Sequence, residues 1–121
     1  MSSEREATQR RRRKLHQEFR ALTHEPLMRG SVVERRRTCG KPNCACASNS
    51  DARHRGKVLT VFLQGRVQTL ALRQEDEARV RGAIEAYKRA WKVISGLTAC
   101  ELADLRRQSR ERRRASRRRR R

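Results

Sequence analysis

The sequence is poor in the residues from which large cores are built. Aromatic residues make up 3% and apolar residues 35% of its 121 positions, so any core must be small. Small domains often gain stability from a second source, such as a bound metal ion. No apolar run is long enough to span a membrane, and residues 1–13 lack the apolar stretch of a secretory signal. We therefore expect a cytoplasmic protein whose thiols stay reduced.

Acidic residues are scarce as well. The 33 lysines and arginines outnumber 13 acids, which leaves a net charge of +20. A compact state with that charge repels itself, and a polyanionic partner, usually nucleic acid, explains it best. Two basic blocks stand out, at residues 10–14 and 106–121. Arginine is so dense in the second block that the pattern predicts disorder for it in isolation.

The chain gathers its soft ligands in one place, with the spacing Cys39-x4-Cys44-x-Cys46-x7-His54. Clustered cysteines in a reducing compartment bind metal more often than they form disulfides. Zinc takes four ligands, commonly thiolates and imidazoles, and this cluster supplies that number. The sequence therefore predicts a structural zinc site, which would tie the first strand to the following hairpin.

Other interpretations of the cluster stay open. The cysteines could be ordinary reduced residues in a loop, or a redox switch in which oxidation expels the metal. Glu34 or Asp51 could act as the base beside a catalytic zinc, but four protein ligands leave no open coordination position. No nucleophile–base set, glycine-rich phosphate loop or paired carboxylate site is visible, so we predict no enzyme. Cys100 is predicted to be a small buried side chain rather than a ligand.

The first half of the chain favours a helix followed by strands. Leu15, Phe19 and Leu22 form an apolar stripe within residues 2–29, and the helix should end or break near Thr23. A short strand is predicted over residues 31–37. Residues 57–72 predict a hairpin around Gln64-Gly65, which would pair Phe62 with Val67, Thr60 with Thr69 and Val58 with Ala71. Both hairpin faces are apolar, so the pattern leaves the buried face open.

The second half predicts helices. A stripe at Val80, Ile84, Tyr87, Trp91 and Ile94 indicates a core-facing helix over residues 74–94; base stacking by the two aromatic residues is the less favoured alternative. Gly96 weakens the helix, and a capping box at residues 98–101 would restart it. We therefore expect a bend or a separate helix after residue 95, carrying two further leucines.

These elements predict an α+β fold. It comprises an N-terminal helix, a small three-stranded antiparallel sheet with a metal-binding loop, C-terminal helices and a basic disordered tail. The corresponding division of the chain is a basic arm over residues 1–14, a zinc-stapled domain over residues 15–105 and an arginine-rich tail over residues 106–121.

Residues 28–47, MRGSVVERRRTCGKPNCACA, resemble a family of small prokaryotic proteins catalogued as a domain of unknown function. The shared pattern is a helix, Arg-Gly-Ser, a strand, Cys-Gly-Lys, a Cys-x-Cys pair, a histidine, a hairpin and a long helix, over roughly residues 15–105. The chain departs from the family after His54, where Arg55 and Gly56 replace the usual Gly-Pro and aromatic residues. The resemblance implies a shared fold and metal site, no assigned activity, and an association with mobile elements and their recombinases.

The leading functional hypothesis is a non-enzymatic, zinc-stabilised protein that binds nucleic acid, DNA or RNA, mainly through phosphates. The alternative is an adaptor that docks a larger protein partner through the helical stripe over residues 80–105. The candidate phosphate-binding residues are cations of the two basic blocks, of the first strand and of the metal-binding loop and the residues after it: Arg10, Arg11, Arg12, Arg13, Lys14, Arg35, Arg36, Arg37, Lys41, Arg53, Arg55, Lys57, Arg112, Arg113 and Arg114.

Overall fold

A computed structural model describes residues 2–121 of the protein. It contains α1 (Ser2–Leu22), β1 (Gly30–Arg37), β2 (His54–Leu63), β3 (Arg66–Leu72) and α2 (Gln74–Arg120), with two short 3-10 turns between β1 and β2. The predicted N-terminal helix, three-stranded antiparallel sheet and long C-terminal helix are confirmed. Within the described residues, no helix is both long and apolar enough to cross a membrane.

The sheet has the order β1-β2-β3, with both pairs antiparallel. The hairpin register is the predicted one, and Phe62 lies opposite Val67. Gln64 and Gly65 have φ values of 52° and 76°. Two positive φ values in a two-residue loop match the twist of the flanking strands, so the turn sets the register.

One sheet face packs on the start of α2. Leu59, Val80 and Ile84 form a buried cluster, against which the partly buried side chains of Met28, Val32, Val61 and Leu72 pack. The sequence pattern did not decide which hairpin face is buried. In the structure, the face that packs on α2 is the one that carries Leu59 and Val61. On the opposite face, Phe62 is 49% exposed and Val67 is 64% exposed.

The residues divide into two compact units. One contains Pro26–Tyr87, which includes the sheet, and the other contains the residues up to Glu25 together with Lys88–Arg121. The second unit is an antiparallel helix pair, because Glu25 at the end of α1 contacts Arg89 while Glu4 near its start contacts Arg110. The predicted three-part division at residues 14 and 105 stays a prediction.

The buried face of α2 differs from the predicted one. Trp91 is 59% exposed and Ile94 is 41% exposed, so their predicted core-facing role is wrong. In the helix pair, burial falls instead on Ala90, Val93 and Cys100. Small side chains let two helices approach closely, so a stripe of them can form the contact while larger side chains face outward. The burial predicted for Cys100 is confirmed.

The helix α2 is also longer and more continuous than predicted. It passes through Gly96 without a break, and the Thr98 hydroxyl donates to the Ile94 carbonyl at 3.0 Å instead of capping a new helix. It then continues to Arg120, which corrects the expectation of a disordered tail. Arginine is a good helix former, and Arg107 lies near both Asp104 and Glu111, one turn away on either side.

The helix α1 begins at the start of its predicted range, residues 2–29, and ends inside it. Residues of the predicted basic arm are helical from Ser2 onward, and the helix ends at Leu22. The Thr23 backbone N–H still donates to the Phe19 carbonyl at 3.0 Å, after which Pro26 is incompatible with further helix. The predicted end near Thr23 is confirmed.

Candidate metal centre

The loop between β1 and β2 gathers the four predicted ligands at one end of the sheet. Arg37, the last residue of β1, pairs with His54, the first residue of β2. Residues 38–53 leave and rejoin this strand pair, and Gly40, with φ of 81°, turns the chain back. The second short turn, Ser50–Ala52, is capped by the Asn49 side chain, which accepts from the Asp51 N–H at 3.0 Å. Paired strands and one capped turn thus hold the ligands in place.

The ligand atoms are close enough to share one ion. The Sγ atoms of Cys39 and Cys46 are 3.6 Å apart, Cys44 Sγ is 3.3 Å from His54 Nε2, and all four ligand atoms lie within 4.8 Å of one another. A tetrahedral zinc ion with ordinary bond lengths would separate its ligands by about 3.5–3.8 Å. A disulfide would need about 2.05 Å between sulfurs, and the four cysteines are free. Cys39, Cys44, Cys46 and His54 can therefore hold a metal ion.

Cys46 anchors the site. Its side chain is only 2% exposed, and its Sγ accepts a hydrogen bond from the Cys39 backbone N–H at 3.3 Å. Cys44 is half-buried, whereas Cys39 and His54 are exposed. Such N–H to sulfur contacts orient a ligand and stabilise a thiolate. An ion here would be held from the protein side by Cys46 and closed from the solvent side by Cys39 and His54.

The thiols differ in acidity. The Cys46 backbone N–H, followed by the His54 side chain, lowers the pKa of Cys44 to about 6. At Cys46 the Cys39 backbone N–H acts to lower the pKa, but burial and the neighbouring thiols outweigh it, so the pKa is raised. A bound divalent ion would favour the thiolate at every cysteine ligand.

The cluster contains no carboxylate among the residues that the structure describes. Glu34, considered above as a catalytic base, lines a different cavity of about 540 Å³ together with Lys57 and Glu77. Four protein ligands and no adjoining carboxylate are typical of a structural ion rather than of a catalytic one.

The predicted phosphate-binding residues are of three kinds in the structure. Two of them already form ion pairs within the protein: Arg12 binds Glu101, at 3.1 Å, and Asp104, and Lys57 binds Glu77 at 2.6 Å. The other members of the basic blocks are exposed on the two helices: Arg10, Arg11, Arg13, Lys14, Arg112, Arg113 and Arg114. The remaining candidates are exposed on the sheet and in the metal loop: Arg35, Arg36, Arg37, Lys41, Arg53 and Arg55.

The structure brings together cations that are far apart in sequence. In the helix pair, Asp104 binds both Arg12 and Arg107, and Glu4 contacts Arg110, so the basic segment of α1 lies near only the start of the basic segment of α2. In the sheet unit, Arg35 and Arg37 line a groove of about 210 Å³ with Cys39, His54 and Gly56. Gly56 of β2 was not predicted to belong to this groove, because only the strand pairing reveals that it lies opposite Arg35.

Comparison with known proteins agrees with the resemblance inferred from the sequence. The family described as Domain of unknown function (DUF6788) matches residues 5–82, which include most of α1, the metal centre and the whole sheet. No curated protein and no solved structure matches the chain. With more than half of its length matched, the protein belongs to the DUF6788 family.

Proposed function

We propose that this protein is a non-enzymatic, zinc-stabilised basic protein that binds nucleic acid mainly through the phosphate backbone. The observation that carries the proposal is the antiparallel helix pair, which exposes basic segments from two distant parts of the sequence on adjacent helices. We expect the protein to act in the cytoplasm and, in line with the family resemblance, as an accessory to a mobile-element protein.

Internal ion pairs fix the helix pair and leave most of its arginines exposed. Arg12 binds Glu101 and Asp104, and Arg110 binds Glu4 at 3.1 Å. Around these contacts, Arg10, Arg11 and Arg13 are exposed on α1, and every residue of α2 from Glu111 onward is exposed. Guanidinium groups make two parallel hydrogen bonds to phosphate oxygens, so two adjacent arginine-bearing helices would follow a phosphate backbone.

Zinc is the metal that the ligand set favours. Thiolates are soft ligands, and three thiolates with one imidazole form a common structural zinc site, whereas calcium and magnesium prefer oxygen. The ion would close the loop between β1 and β2 in a unit whose buried apolar cluster is small. Its role in the proposal is to stabilise the fold.

The test is a salt titration of binding by the full-length, zinc-loaded protein. Fluorescence anisotropy with labelled duplex DNA, single-stranded DNA and RNA should show affinity falling by orders of magnitude between low and moderate salt. Changing Arg112, Arg113 and Arg114 together to glutamine should weaken binding and reduce the slope. The matched control removes three charges at Arg66, Arg73 and Arg79, of which the last two lie beside Glu75 and Asp76. Absence of binding by micromolar protein at low salt would contradict the proposal.

A second candidate function, a protein-interaction adaptor, is favoured by one observation. Trp91, Ile94, Leu102 and Leu105 are 59%, 41%, 44% and 62% exposed, and their spacing places them on one face of α2. An exposed apolar face of this kind, beside a basic helix, suits a partner with an apolar and acidic surface. Removing residues 112–121 should greatly weaken nucleic-acid binding and leave binding to a protein partner unchanged. Trp91→Glu should weaken binding to the protein partner and leave nucleic-acid binding unchanged.

A further inference from the structure

We propose that the groove beside the metal centre, defined by Arg35, Arg37 and Gly56, binds one phosphodiester group of the nucleic acid. This Arg35–Arg37 groove has a volume of about 210 Å³. Since a water molecule occupies about 30 Å³ of liquid volume, the groove has room for roughly seven waters, which is ample for a phosphate group. The inference rests on the proposed function, and it assigns that function a specific contact in the sheet unit.

Strand geometry places the side chains of Arg35 and Arg37 on the same sheet face as Gly56. Arg35 pairs with Gly56 and Arg37 pairs with His54 across the β1–β2 ladder. Alternate residues of a strand share a face, and paired residues share it too. Arg35 and Arg37 therefore share a sheet face with Gly56, which has no side chain. A Cβ built at Gly56 meets no atom within 4 Å, so the space over Gly56, beside Arg35, is open.

The charge around the groove favours an anion. No acidic residue lines it, whereas Arg55 also does. In the part of the chain that the structure describes, neither Arg35 nor Arg37 is within salt-bridge distance of a carboxylate. A zinc ion with three thiolates carries a net charge of −1, which the two arginines on this sheet face outweigh. The groove would thus keep a positive potential with the metal in place.

The larger cavity on the other face of the sheet offers a contrast. It has a volume of about 540 Å³, but Glu34 and Glu77 line it and Lys57 is already bound to Glu77 at 2.6 Å. Two carboxylates make it unsuitable for a phosphate. Arg55 lines both cavities, but only the smaller one is lined by Arg35 and Arg37 and by no carboxylate.

The experiment compares neighbouring arginines on opposite strand faces. Arg37→Gln and Arg36→Gln remove the same charge one residue apart, but only Arg37 lines the groove. Gly56→Val fills the groove without changing charge, and valine favours strands. Binding is measured by anisotropy at fixed salt with oligonucleotides that carry or lack a 5′-phosphate, while bound zinc and melting temperature monitor folding.

We expect Arg37→Gln and Gly56→Val each to weaken binding by about tenfold, and Arg36→Gln by less than about twofold, with and without the 5′-phosphate. Arg37→Gln should also lower the salt slope by about 0.9. Equal effects of Arg36→Gln and Arg37→Gln would overturn the inference while leaving the proposed function intact. A loss confined to oligonucleotides with a 5′-phosphate would overturn the assignment to an internal phosphodiester. If Gly56→Val loses zinc, Arg35→Gln takes its place, with the same expected weakening relative to Arg36→Gln.

Discussion

Leu15 of α1 packs directly against Gly96 of α2. A Cβ at position 96 would lie 3.0 Å from Leu15 Cδ1 and 3.3 Å from Leu15 Cδ2. Such distances are shorter than ordinary van der Waals contacts between carbon atoms. Glycine at this position therefore permits the close approach of the two helices, and the contact offsets the conformational cost of glycine inside a helix.

This contact predicts that Gly96→Leu destabilises the protein by about 1–3 kcal/mol, because the added side chain overpacks the helix contact. The matched control is Gly82→Leu in the same helix, where an added Cβ meets nothing within 4 Å. That control should stabilise the protein by about 0.5–1 kcal/mol through helix propensity alone. Urea unfolding of the two variants measures the difference, and similar effects at both positions would contradict the contact.

The same contact shows what the sequence pattern could not reveal. Glycine at position 96 weakens an isolated helix, so local propensity predicted a break there. The large apolar residues Trp91 and Ile94 continued the stripe of Val80 and Ile84, so periodicity predicted that they face the core. The position of α1 decides both points, and that position is a tertiary contact between distant residues.

Local chemistry was sufficient elsewhere in the fold. The hairpin register followed from Gln64-Gly65, because only a two-residue turn with positive φ values suits the spacing of the flanking strands. The four ligands at the metal centre followed from their types and count. The helix in the terminal arginine segment was not predicted, because the charge density of the segment indicated repulsion. One carboxylate that offsets this repulsion is that of Glu4, which is far away in the sequence and pairs with Arg110.

The ion pair between Arg12 and Asp104 predicts a pH dependence of stability. Hydrogen bonds from Arg12 and then Arg107 lower the pKa of Asp104 below its ordinary value of 3.8. A carboxyl whose pKa is lower in the folded state adds stability above the ordinary value and loses it as the pH falls through the folded value. The melting temperature of the wild type should therefore exceed that of Asp104→Asn by a constant amount above about pH 5, with the gap closing as the pH falls below the ordinary pKa of the carboxyl.

The control for this prediction is Glu111→Gln, which makes the same charge change on α2. The Glu111 side chain is 65% exposed and 3.8 Å from Arg107, and exposed pairs contribute little. Its melting temperature should follow that of the wild type throughout. A gap between wild type and Asp104→Asn that stays constant down to low pH would contradict a stabilising role for the pair.

The hairpin turn predicts opposite effects for its two residues. Gln64 has φ of 52°, in the left-handed region that asparagine and glycine adopt at a lower energetic cost than glutamine. Gln64→Asn should therefore stabilise the protein by a few tenths of a kcal/mol, whereas Gly65→Val should destabilise it by about 1–2 kcal/mol. Thermal unfolding checks both variants, and stabilisation by Gly65→Val would exclude the positive φ at that position.

The metal centre predicts that zinc affinity rises with pH. Thiols must lose their protons to bind the ion; the pKa of Cys44 is lowered to about 6, whereas that of Cys46 is raised. Proton competition at Cys46 should persist at neutral pH, and protonation of Cys44 should add to it below about pH 6. Affinity measured with a competing zinc chelator should therefore fall more steeply below about pH 6 than above it. Affinity independent of pH between about 5 and 8 would contradict thiolate ligation.

The most direct test of the metal centre is elemental analysis of the reduced, full-length protein purified without added metal. The wild type and the buried-cysteine control Cys100→Ser should each hold one zinc per chain, Cys46→Ser should hold none, and a chelator should lower the melting temperature of the first two. Wild-type protein without stoichiometric metal, whose melting temperature a chelator leaves unchanged, would contradict the account that Cys39, Cys44, Cys46 and His54 hold a structural ion.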